Sequence, residues 1–129
     1  DMSRITLTDD ADMIAQKIRK ARTDPESLPE TEAGLEGRPE AANLVGIFAA
    51  LSGQTPLDVL SHYAGQNFSV FKPDLVDLMV EKIGPITAKM TEYLEDTAYL
   101  DKVLNEGAAR ADAMAQPILA EVKKIVGFA

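Results

Sequence analysis

RPEAANLVGIFAALSG, residues 38–53, has a single strongly polar side chain, Asn43, between Glu40 and Ser52. A helix that is apolar nearly all round has no solvent face of its own and must be covered by other elements. Pro39 suits the first helical position, where its missing N–H is not needed, and Gly53 suits a left-handed stop. A buried strand of this length is the competing reading, but the four alanines of the stretch disfavour it. Ala41, Ala42, Gly46, Ala49 and Ala50 are small enough to let neighbouring helices approach closely. The stretch is therefore read as the buried central helix of the fold, at 39–52.

Outward from this helix the chain reads as all-α. Thr8, Asp9 and Asp10 offer N-caps for a helix running to about Arg22, with Ala11, Ile14, Ile18 and Ala21 on one face. Residues 23–37 hold five acids, two prolines, two glycines and no base, which predicts a mobile loop. Thr55 caps a short helix opened by Pro56 and closed by Gly65, and Gln66–Lys72 reads as a connector with two phenylalanines. Pro73 opens a long helix to Glu95 that Gly84-Pro85 should kink or split. Asp96 and Thr97 cap a helix from Ala98 to Glu106, with Gly107 as its stop. A last helix, Ala108–Val126, carries Pro117 as a second kink. The expectation is one domain, 1–129, built as a bundle of about six helices, with long kinked helices at 73–95 and 108–126.

Composition narrows the function. The 129 residues are 46% hydrophobic, so one domain with a real core is within reach. No apolar run approaches the ~20 residues of a membrane span, and no charged-then-apolar start suggests a signal peptide. Cysteine is absent, which removes disulfides, thiolate metal sites and a cysteine nucleophile. His62 is the only histidine and makes a poor metal site without partners. Gly-rich phosphate loops, HExxH, EF-hand loops and GxSxG elbows are all missing. The acid pairs Asp9-Asp10 and Glu95-Asp96 sit at helix starts, where capping explains them. A net charge of −8 argues against a generic nucleic-acid binder, yet four of the six residues from Lys17 to Arg22 are basic. That cluster reads either as a solvated helix end favoured by the dipole or as a patch that contacts phosphates.

Four segments carry a family resemblance: ITLTDDADMIAQKIRKARTD (5–24), GRPEAANLVGIFAALSG (37–53), FSVFKPDLVDLMVEKIGPI (68–86) and DKVLNEGAARADAMAQPILAEVKKIVG (101–127). In order and spacing they resemble the C-terminal part of bacterial tryptophanyl-tRNA synthetases, across essentially the whole chain. The resemblance implies a class I aminoacyl-tRNA synthetase, a cytoplasmic homodimer that joins tryptophan to its tRNA using ATP with Mg. The family's two ATP-handling signatures, a HIGH-like motif and a KMSKS loop, do not occur in these residues. In the family the KMSKS loop falls just before the segment that begins here as Asp1-Met2-Ser3-Arg4, and position 1 is not methionine. The resemblance thus implies a piece lacking the N-terminal catalytic Rossmann domain, with no catalytic, cofactor or metal residue of its own and no membrane partner. What remains is the helical part that receives the anticodon end of tryptophan tRNA.

Under that resemblance Lys17, Arg19, Lys20 and Arg22 become candidate backbone contacts, with Arg38 and Lys72 beside helix starts. Single-stranded bases are read by stacking and by edge hydrogen bonds, so Asn43, Phe68 and Phe71 are the candidate base-reading groups. Each has a plainer reading: Asn43 as a cap or bridge between helices, the phenylalanines as core. The rival to RNA binding is a self-standing acidic α-helical module that binds a protein partner. An independent small enzyme would need a constellation that the sequence does not show.

Overall fold

The computed structural model describes residues 2–128 and is all-helical, with no strand among the described residues. Five α-helices follow in order: α1 (Ala11–Lys20), α2 (Pro39–Ser52), α3 (Pro56–Tyr63), α4 (Phe68–Glu95) and α5 (Thr97–Val126), with a 3-10 turn at Glu32–Leu35. The chain divides into two compact units, one up to Met90 and one from Thr91.

The helix starts are set by local chemistry. Asp10 Oδ1 accepts from the Met13 N–H at 2.8 Å and caps α1. Thr55 and Asp58 form a reciprocal capping box at the head of α3. Gly53 ends α2 at φ 73°, a conformation that costs glycine nothing.

Two sequence expectations about helix breaks are corrected. The connector 66–72 is not irregular: α4 already begins at Phe68, five residues before Pro73. Phe68 and Phe71 are both buried, and their burial holds the first turns in spite of the hydrogen bond that Pro73 cannot make. Likewise the helices expected at 98–106 and 108–126 are one helix, α5, so the described residues form five α-helices, close to the expected number of about six. Gly107 is not among the glycines with positive φ, and a mid-helix glycine costs only about 1 kcal/mol relative to alanine. Gly84-Pro85 and Pro117 are likewise carried inside α4 and α5 without splitting them.

In the first unit the core joins all four of its helices. Ile14 and Ile18 come from α1, Leu44 and Val45 from α2, Val59 and Leu60 from α3, and Phe71 and Leu75 from α4. Fully burying one such side chain contributes roughly 1.5–3 kcal/mol. Phe71 is fully buried and lies 5.0 Å from the Tyr63 ring and 5.5 Å from Phe48, centroid to centroid. The Tyr63 hydroxyl donates to Asp74 Oδ2 at 2.8 Å, and burial, aided by that carboxylate, raises its pKa above the usual 10.0. α2 is central but not sealed: Ala41, Leu44, Val45 and Ala49 are buried, whereas Asn43, Gly46 and Ala50 face outward. That exposed strip, spaced i, i+3 and i+7, is one side of the helix.

The acidic loop is tied down rather than loose. Leu28 is buried, its N–H donates to Gln66 O at 2.8 Å, and its carbonyl accepts from Gly65 N–H at 2.9 Å. Gly34 is needed for close approach, since a Cβ there would stand 2.4 Å from Pro29 Cβ.

The second unit is a contrast in composition. α5 buries no residue, and Leu104, Met114, Ile118 and Ile125 are exposed. At its start Asp96 Oδ1 caps the Tyr99 N–H at 2.9 Å, and the Tyr93 and Tyr99 rings stack 5.4 Å apart.

Candidate nucleic-acid interface

The nine residues singled out from the sequence separate into three environments. Phe68 and Phe71 lie in the aromatic core with Phe48 and Tyr63, so neither presents a face on which a base could stack. The plainer reading of both phenylalanines is the one the fold supports.

Three cations are engaged inside the fold. Lys17 is 7% exposed, and its ammonium donates to Asp9 Oδ2. That hydrogen bond holds the Asp9 carboxyl below its usual range. Asp9 also accepts from the Thr6 N–H at 2.8 Å, so the pair fixes the turn that leads the N-terminal segment back over the helices. Arg38 makes a two-pronged contact with Asp24, Nη2 to Oδ1 at 2.7 Å and Nε to Oδ2 at 2.9 Å. Its remaining N–H groups donate to Ser27 O at 3.0 Å and Glu26 O at 3.2 Å. The guanidinium holds the Asp24 carboxyl below its usual range, and Asp24 in turn raises the Arg38 pKa. Lys72 Nζ donates to Ala21 O at 2.7 Å and to Arg19 O at 3.4 Å, and burial lowers its pKa.

The remaining four candidates are exposed, and three of them meet. Lys20, Arg22 and Asn43 line one shallow depression of about 260 Å³, formed where the end of α1 faces the first turns of α2. Ser3 lines it as well, a residue that sequence reasoning did not single out. Nothing in the local pattern marks Ser3; only the turn at Thr6–Asp9 brings it there. Arg19 is not part of the depression; it lines a neighbouring cleft of about 430 Å³ together with Lys20, Gln16 and two acids, Asp10 and Asp12. Among the described residues the one acid at the depression is Glu40, whose Oε1 is 3.7 Å from Arg22 Nε. The Arg22 side chain is 88% exposed, so this contact contributes little and leaves the guanidinium available. An apolar groove of about 440 Å³ is lined by Ile5 and Leu7 of the N-terminal segment together with Asn43, Ile47 and Met79.

The depression offers two cations, an amide and a hydroxyl at the surface, a set that suits phosphate oxygens and one base edge. Its described lining residues include no nucleophile–base pair. Among the described residues no group of three His, Cys, Asp or Glu side chains could hold a metal ion. No single helix among them is long and apolar enough to cross a membrane.

Over 128 residues, 99% of its length, the chain is similar to the tryptophan–tRNA ligases of Caulobacter vibrioides (57% identical) and Mesorhizobium japonicum (54%). The tryptophan–tRNA ligase of Rickettsia felis is 41% identical over the same length. The chain spans 37%, 36% and 38% of these three proteins, a little over a third in each case. No family model matches the chain. The resemblance carried by the four sequence blocks therefore holds across the whole chain.

Proposed function

Because the chain is a relative of tryptophan–tRNA ligases over 99% of its length, we propose that it is the helical part through which such a ligase holds the anticodon end of tryptophan tRNA. Attachment of tryptophan, with ATP and Mg, then belongs to the part of the ligase outside these 129 residues, in a cytoplasmic homodimer. The observation that carries the reading is the convergence of Lys20, Arg22 and Asn43 on one exposed depression in a chain of net charge −8. Acidic surfaces repel RNA, so a local pair of cations beside a hydrogen-bonding amide is where a backbone would settle. Lys20 and Arg22 supply phosphate contacts. Asn43 supplies the donor and acceptor that a base edge requires. With the core aromatics buried, recognition in this unit proceeds by edges and phosphates rather than stacking.

The test is a titration of the chain with tryptophan tRNA and an anticodon-substituted version at two salt concentrations. Salt-sensitive binding that prefers the native anticodon, with the preference lost in Asn43→Ala, is the expected result. Absence of binding at low salt would overturn it and favour the protein-interaction module, a reading supported by the exposed apolar residues of α5.

A further inference from the structure

No glycine follows the end of α1. Ala21 closes α1 at φ −54° and ψ 132°, much as Ala64 closes α3 at φ −51° and ψ 127°, but α3 is followed at once by Gly65 at positive φ, where α1 is followed by Arg22. The last carbonyls of a helix need donors, and the negative end of its dipole favours a cation. Lys72, 51 residues away on α4, supplies both: its ammonium donates to Ala21 O and Arg19 O. Arg19 and Ala21 flank Lys20, and Ala21 immediately precedes Arg22. Lys72 is itself anchored by its neighbour Phe71, which is fully buried.

We infer that Lys72 is a positioning residue for the RNA site: by holding the terminal carbonyls of α1, it fixes the backbone that presents Lys20 and Arg22 to the depression shared with Asn43. It acts through those two cations and does not touch the phosphates. The inference rests on the RNA-binding reading above for its consequence, but the clamp on α1 can be measured without RNA.

Lys72→Met keeps the aliphatic stem and removes the donors, while Lys72→Arg keeps a cation that can reach two carbonyls. Each is made in the natural chain and in the Lys20→Ala/Arg22→Ala background, with folding checked by helical circular dichroism. Binding of tryptophan tRNA should weaken about 3- to 10-fold in Lys72→Met, roughly the value of one ordinary hydrogen bond, because the effect on the RNA is indirect. In the doubly substituted background the same change should cost less than about 1.5-fold, because coupled groups are non-additive. Lys72→Arg should restore binding. Without RNA, amide exchange at Ala21 and Arg22 should quicken in Lys72→Met. An equal loss in both backgrounds would make Lys72 a direct phosphate contact and overturn the inference, as would unchanged binding together with unchanged exchange. If Lys20→Ala/Arg22→Ala itself leaves binding intact, it is the RNA reading that falls, and the exchange at Ala21 and Arg22 alone decides whether Lys72 holds that helix end.

Discussion

The cations of the first unit fall into two regions that behave in opposite ways. Under the 24–38 loop and along the buried side of α1, Arg38 and Lys17 meet acceptors supplied by the fold: Asp24 with two carbonyls, and Asp9. At the end of α1, Lys20 and Arg22 line a depression whose only acid among the described residues is Glu40. The four are close in composition and lie within 22 residues of one another, yet one region is architecture and the other is surface. A basic cluster in a sequence says where positive charge is dense. Its role depends on which side chains find acceptors before a ligand arrives.

The sharpest way to break this division begins in the core. Phe71→Ala should cost about 3–5 kcal/mol in chemical denaturation, because a fully buried ring leaves a cavity. Tolerance of this change within about 1 kcal/mol would return Phe71 to the list of surface aromatics. Next comes Arg38→Met, expected to destabilise by about 2–3 kcal/mol, since it strips Asp24 and two carbonyls of their donors. Arg38→Lys should recover only part of that loss, an ammonium being unable to reproduce the two-pronged contact.

The Asp24–Arg38 pair also predicts an acid limb. The folded-state pKa of Asp24 is depressed below its ordinary 3.8, so its contribution is fully present above that value and is lost as pH falls through the folded pKa. Denaturation midpoints followed below about pH 4 should therefore fall less steeply in Arg38→Met than in the natural chain. An unchanged acid limb would mean that the pair is not what sets it. The smallest stability effect belongs to Lys20→Ala and Arg22→Ala, each expected within about 0.5 kcal/mol because exposed side chains away from structural contacts contribute little. A larger loss in either would place it with the architectural cations.

The sequence made the helices legible where the cause is local. Pro39 and Gly53 bracket α2, Thr55 with Asp58 opens α3, and Asp10 opens α1. It misled where a distant partner decides. By sequence alone Lys72 sits at a helix start within reach of phosphates, because its acceptors, Arg19 O and Ala21 O, lie more than 50 residues back. The 23–37 loop read as mobile because neither the Arg38 contact nor the Leu28–Gly65 pairing leaves a periodic trace. Apolar composition made α2 look sealed, although the Asn43–Gly46–Ala50 strip faces outward. Gly107 read as a stop because glycine usually ends helices, but here the chain continues with helical dihedrals. For the site, three of the nine candidates converge, and the sequence could not tell them from the six that do not.

The central claim is that RNA meets the cations of the α1 end and not those of the loop. The measurement that tests it most directly is the salt dependence of tryptophan-tRNA binding in the natural chain, in Lys20→Ala/Arg22→Ala and in folded Arg38→Met. Losing two phosphate contacts should reduce the slope of log K against log salt by about 1.5 in the double variant, while Arg38→Met keeps the natural slope. An unchanged slope in Lys20→Ala/Arg22→Ala, or an equal drop in Arg38→Met, would contradict the assignment.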